Sequence, residues 1–133
     1  MKTSYKGSCH CGAVKFEADA DPAQGTFRCN CTICFKSRAW LLPVPVADLR
    51  IVQGEAGLQD YQFGKKRIHH YFCRQCGVRP FSRGVNTKGN PIYAVRVNCL
   101  DDIDPQSLVD APIRYFNMLH DDFKEPPAET RHL

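Results

Sequence analysis

The 133 residues contain no run approaching the roughly 20 consecutive apolar residues that a helix needs to cross a bilayer. Nor do the opening residues, Met1-Lys2-Thr3-Ser4-Tyr5-Lys6-Gly7-Ser8, hold the apolar core of a secretory signal. Neither a helical membrane span nor an export leader is expected, and the expected compartment is the cytoplasm. Long 3.6-residue periodicity is also missing, which argues against a helical bundle and for a mostly β class. No internal repeat stands out beyond recurring cysteine pairs. Charge of neither sign dominates: 18 lysines and arginines face 14 aspartates and glutamates, within a composition 43% hydrophobic and 24% charged that suits an ordinary folded domain. A chain of this length fits one domain burying about two-thirds of its unfolded surface.

What the chain does have is sulfur. Seven of its eight cysteines fall into three clusters, Cys9-His10-Cys11, Cys29-Asn30-Cys31-Thr32-Ile33-Cys34 and Cys73-Arg74-Gln75-Cys76. Closed structural zinc sites take four sulfur or nitrogen ligands, whereas catalytic ones take three and keep a position open, so seven divides into four plus three. A disulfide framework would need an oxidising compartment. Cys9 and Cys11 are also poorly placed to bond to each other, yet both can reach one ion at about 2.3 Å. The formal charge of +4 counts every thiol as neutral. Two loaded zinc sites would lower it to about +1, leaving no global field to draw nucleic acid.

Val14, Phe16 and Ala18 alternate with Lys15, Glu17 and Asp19, the period-two pattern of a half-buried strand, which makes the first strand follow the first cysteine pair. Asp19 to Gly25 reads as a loop, and Cys29 to Cys34 as a tight turn entering a short helix. Leu41-Leu42-Pro43-Val44-Pro45-Val46 is apolar but carries two prolines, so an edge strand is expected there and a central one is not. Leu49 to Gln53, Leu58 to Phe63 and Ile68 to Cys73 read as a meander of hairpins. Two further strands are expected at Pro80 to Arg83 and Ile92 to Cys99. Asp104 is placed to cap a helical turn with Pro105 at its first position. Residues 117–133 form a tail expected to be loosely ordered.

Cys9/Cys11 and Cys73/Cys76 each resemble a zinc knuckle, next to a strand and a glycine (Gly12, Gly77). Closed on one ion, the two pairs would staple the first strand to the later meander, and structural zinc can add about 10 to 16 kcal/mol to the folding of a small domain. Cys29, Cys31 and Cys34 can surround a second ion and leave its fourth position unassigned. A substrate thiol could ionise there, or a histidine such as His10, His69 or His70 could close the site. Spacing alone does not separate these alternatives.

Taken together, Gly7-Ser8-Cys9-His10-Cys11-Gly12-Ala13-Val14, the Cys29 to Cys34 block, Phe72-Cys73-Arg74-Gln75-Cys76-Gly77 and Val97-Asn98-Cys99-Leu100-Asp101-Asp102 resemble the glutathione-dependent formaldehyde-activating enzyme family, which includes centromere protein V. The ordered set spans residues 5–116. The resemblance implies a β-tent of antiparallel sheets stapled by a structural zinc on Cys9, Cys11, Cys73 and Cys76. It implies a second, catalytic-type zinc on Cys29, Cys31 and Cys34, the residue matching Cys29 being the ligand that leaves when glutathione binds. It further implies a small-molecule thiol partner and a carbon–sulfur lyase reaction in reverse, joining glutathione and formaldehyde into S-hydroxymethylglutathione. Two positions depart from the family pattern: Asn30 stands where relatives often carry histidine, and Gly77-Val78-Arg79-Pro80-Phe81 replaces a Gly-Thr or Gly-Ser start. A non-catalytic zinc-stabilised binding module is the alternative from another class.

Among the remaining residues, Cys99 shares a period-two face with Tyr93, Val95 and Val97 and is read as core. Trp40, Phe35 and Phe81 are core or pocket-wall candidates. Lys36, Arg38 and Arg79 flank the clusters and could meet the carboxylates of an acidic thiol, with solvated surface charge as the plainer reading. Lys65-Lys66-Arg67 reads as a solvated hairpin turn, and His69 and His70 point to opposite faces of one strand.

Overall fold

In the computed structural model, which describes residues 1–133, the Val14–Asp19 alternation becomes strand β2 (Lys15–Ala20), with Phe16 and Ala18 fully buried between more exposed charged neighbours. It is the middle strand of a three-stranded antiparallel sheet, between β1 (Thr3–Ser8) and β5 (Leu49–Gln53). Seven strands form the second sheet: β3 (Thr26–Cys29), β4 (Leu41–Pro45), β6 (Leu58–Tyr61), β7 (His69–Cys73), β8 (Phe81–Val85), β9 (Pro91–Arg96) and β10 (Ile113–Phe116). Their spatial order is β10-β3-β4-β9-β8-β7-β6.

The core lies between the two sheets. Phe16, Ala18, Ala20 and Leu49 of the small sheet cluster with Leu42, Val44, Phe81, Tyr93 and Val95 of the large one. Phe16 meets Phe81 edge-on at 5.3 Å between ring centroids, and Phe81 meets Tyr93 in the same way at 5.2 Å, geometry favoured by the ring quadrupoles. Two short helices complete the fold, α1 (Thr32–Lys36) and α2 (Pro105–Asp110). As the sequence predicts, Asp104 caps α2, its carboxylate accepting from the Gln106 N–H at 3.1 Å. No helix is long and apolar enough to cross a membrane.

Several sequence expectations need correction. A strand, β1, precedes the first cysteine pair; its sequence is mostly polar, and its order comes from its ladder with β2 together with Tyr5, packed against the core, and Gly7, buried against the Phe16 ring. The Leu49–Gln53 strand is not part of the meander, because it pairs with β2 in the other sheet, and the hairpins begin at β6. β4 is internal and not an edge strand. Its ladder with β9 runs through both prolines, whereas β3 pairs with it only at Leu41. The Trp40 carbonyl accepts from Val97 of the β9 segment, so the even-numbered positions face β9. The donors missing at Pro43 and Pro45 therefore fall on the side that β3 has already left. Finally, the sheets are not wholly antiparallel: β10 runs parallel to β3, aligning Phe116 with Cys29.

Candidate metal centres

Both knuckles are built by the same local device. In the first, Cys9 leaves β1, the Gly12 N–H donates to the Cys9 carbonyl at 3.2 Å, and the Val14 N–H donates to the Cys9 sulfur at 3.3 Å. In the second, Cys73 ends β7, the Gly77 N–H donates to its carbonyl at 2.8 Å, and the Gln75 N–H donates to its sulfur at 3.4 Å. Gly12 and Gly77 hold φ at +80° and +76°, the left-handed conformation that favours glycine at these sharp turns.

The folded chain brings the knuckles together, with the Cys9, Cys11, Cys73 and Cys76 sulfurs all within 4.8 Å of one another. Cys11 lies 3.7 Å from Cys9 and 3.7 Å from Cys73. A tetrahedron with ligands about 2.3 Å from its centre has edges of about 3.8 Å, so the cage fits a zinc-sized ion, while a disulfide would need about 2.05 Å. Backbone N–H groups of Cys11 and Val78 hold Cys76 down to about 6, and N–H groups of Cys76 and Gln75 lower Cys73. Cys11, which the Ala13 N–H pulls downward, is nevertheless pushed up to about 11 by desolvation and by the other sulfurs.

The second centre sits where β3 runs into α1. Cys29 ends the strand, Cys31 is the N-cap residue, and Cys34 follows three residues on, a spacing that puts it on the same helix face. Their three sulfurs also lie within 4.8 Å of one another, and no histidine or carboxylate joins them. None of the three candidate histidines belongs to the cluster. His69 pairs with Asp60 at 2.6 Å, His70 stacks on Phe63, and His10 opens onto a cleft beside Cys9. Hydrogen bonds from Cys31 and Cys34 hold Cys29 down to about 3, while Cys29 in turn pushes both Cys34 and Cys31 up. One thiolate with two thiols relieves the repulsion of three like charges, and a dication would let all three ionise.

The α1 end is braced by Arg96, which donates to the Ser37 carbonyl and hydroxyl, both at 2.9 Å. Sequence reasoning missed this residue, although a charge between the buried Val95 and Val97 was a signal. It also missed the tail. Arg38 donates to the His132 carbonyl at 2.9 Å, the His132 ring meets Phe35 at 5.5 Å, and His132 and Leu133 line a crevice with Cys29 and Cys34. Nothing in the tail's composition announced that contact.

Of the other candidates, Cys99 is buried in the core, on a 3-10 turn past the end of β9, and joins neither cluster. Phe81 is core and also lines a pocket beside Cys34, Trp40 is half-buried with its indole N–H on Thr26, and Phe35 is exposed. Lys36 and Arg38 are exposed, whereas Arg79 reaches into two adjoining pockets.

Fold and sulfur geometry together define a mostly β domain with one four-cysteine cage and one three-cysteine centre, donor sets suited to zinc. Residues 4–116 match the glutathione-dependent formaldehyde-activating enzyme family, and the chain belongs to it. Among solved structures it is similar to the crystal structure of a Rhodobacter sphaeroides protein determined as a structural-genomics target. The two are 34% identical with a TM-score of 0.70, over 82% of this chain and 99% of that one.

Proposed function

We propose that this protein is a zinc-dependent carbon–sulfur lyase-type enzyme acting on a thiol–carbonyl adduct, with S-hydroxymethylglutathione, formed from glutathione and formaldehyde, as the favoured case. The observation that carries the reading is the inequality of the two clusters: four sulfurs closed on one another, and three gathered with no fourth side-chain ligand. Family membership supports the choice of thiol and carbonyl. A zinc ion on Cys29, Cys31 and Cys34 would supply a Lewis-acidic position at which a substrate thiol ionises.

In the synthetic direction the reaction is an addition without redox change: the C–S bond forms, the carbonyl π bond breaks, and the thiol proton ends on the new hydroxyl. Cys9, Cys11, Cys73 and Cys76 hold the scaffold. Cys29 is the ligand that the family resemblance implies would leave the ion when a substrate thiol takes its place, and the Cys31 N–H, which donates to its sulfur at 3.4 Å, would remain to stabilise the freed thiolate. His70, lining the same pocket as Cys34, is kept neutral by burial and by the nearby Arg79 and Arg96, and so offers a ring nitrogen able to accept the proton. A reducing cytoplasm suits seven ligand thiols.

The test is exchange NMR on ¹³C-formaldehyde and glutathione with zinc-loaded protein. The expected result is exchange faster than without protein, and loss of that acceleration in Cys31→Ser. Absence of acceleration, with a cobalt-substituted protein whose spectrum ignores glutathione, would instead identify a non-catalytic zinc-stabilised binding module.

A further inference from the structure

Beside Cys34 lies a small pocket whose wall includes two arginines, Arg79 and Arg96, together with His70, Ser37 and Phe81, and no carboxylate. Arg96 spends its hydrogen bonds on Ser37, which is neutral. Arg79 is in no ion pair, and its Nη1 is buried with no hydrogen-bond partner. Both arginines also line a neighbouring cleft of about 580 Å³ whose wall includes Cys9 and His10. The one carboxylate there, Asp101, accepts from Ser8 at 2.6 Å and pairs with neither arginine.

Two half-buried cations sharing one wall repel each other, and an unpartnered buried donor is rare in a folded protein. We propose that Arg79 and Arg96 form a carboxylate-binding subsite that positions a carboxylate-bearing thiol at the three-cysteine centre. The small pocket's volume of about 30 Å³ accommodates about two water-sized groups, which matches the two oxygens of a carboxylate. The adjoining cleft is within the size range of small-molecule sites, with room for the rest of such a ligand. Guanidinium is the side chain whose fork suits a carboxylate, and the cleft's lack of a competing arginine–carboxylate pair leaves that fork free. The proposal deepens the functional reading above and rests on it for the thiol, but not for the carboxylate.

Three probes separate the parts: 3-mercaptopropionate has both groups, propionate only the carboxylate, and 2-mercaptoethanol only the thiol. With zinc-loaded protein, 3-mercaptopropionate and propionate should shift the Arg79 Nε–H and His70 ring resonances, and 2-mercaptoethanol should not shift Arg79. Arg79→Gln should weaken 3-mercaptopropionate by at least about tenfold, the scale of a lost charge-assisted contact, while 2-mercaptoethanol is unaffected and Arg79→Lys restores part of the loss. The proposal is overturned if neither carboxylate moves Arg79, if chloride binds as well as propionate, or if Arg79→Gln binds like the parent. Should Arg79→Gln fail to fold, the wild-type propionate shift and Arg79→Lys decide. If propionate binds Arg79 but no thiol alters the cobalt spectrum, the subsite stands and the lyase reading falls.

Discussion

The Asn30 side chain donates to Asn117 Oδ1 at 2.7 Å, and its own carbonyl oxygen accepts from the Leu119 N–H at 3.0 Å. The Asn30 N–H also donates to the Phe116 carbonyl at 3.2 Å. The residue between the first two cysteines of the three-cysteine centre thus bolts that loop to the chain after β10. This gives Asn30 a positioning role in this protein. Asn30→Ala would strand two polar partners and should cost about 1 to 2 kcal/mol in a denaturant melt. It should also weaken the ion at Cys29, Cys31 and Cys34 by about tenfold in chelator competition, as loss of an outer hydrogen bond does at metal sites, and leave the four-cysteine ion unchanged. Equal weakening of both ions would show that Asn30 acts on the fold at large.

The two clusters carry unequal structural burdens. Cys9 and Cys73 are nearly fully buried, at 2% and 1% exposure, and their knuckles join the end of β1 to the end of β7, in different sheets. Cys31 lies in one loop beside its own cluster partners. Cys73→Ser should therefore abolish cooperative folding, because the metal's contribution of about 10 to 16 kcal/mol exceeds the usual stability of a small domain. Cys31→Ser should lose one metal and turnover, yet keep a dispersed NMR spectrum. Metal analysis and thermal melts of both variants check this, and equal unfolding of the two would contradict the division of labour.

What was legible in the sequence was local. The β2 alternation, the Asp104–Pro105 helix start and the cysteine spacings all act within a few residues, and each folds as its pattern demands. What escaped reading depends on remote partners. β1 offers only Tyr5 and Gly7 to the core and depends on its pairing with β2, which its own sequence does not announce. β10 is held by a parallel ladder to β3, some 87 residues away, with Thr26 Oγ1 donating to the Pro112 carbonyl just before it. The prolines of β4 look like edge residues until the short reach of β3 is known. At the centre itself, the gathering of Cys29, Cys31 and Cys34 was readable from spacing, but Arg96, Asn117 and His132 arrive from other elements, and spacing carries no information about them.

Acid should empty the two centres in a definite order. Without metal, Cys29 ionises near 3 and is already a thiolate at neutral pH, whereas Cys31 and Cys34 are raised above the ordinary thiol value of 9.0 and keep their protons. Loading the three-cysteine centre must expel those two protons, so its apparent affinity should fall about a hundredfold for each unit that pH drops through the neutral range. In the four-cysteine cage, Cys76 is held at about 6 and Cys73 is also lowered, which eases their ionisation, whereas Cys11, raised to about 11, must still give up its proton. The direction follows from which state binds more protons: the metal-free centre holds them, so acid favours it, and alkali favours the loaded one. Titrating zinc-loaded protein from pH 8 toward 5 in a weak chelator should release the Cys29–Cys31–Cys34 ion first, with the fold intact by circular dichroism. Release of the second ion and loss of structure should then come together at lower pH, since the cage staples the two sheets. If both ions leave in one step, or the first departure unfolds the chain, the two centres are not independent.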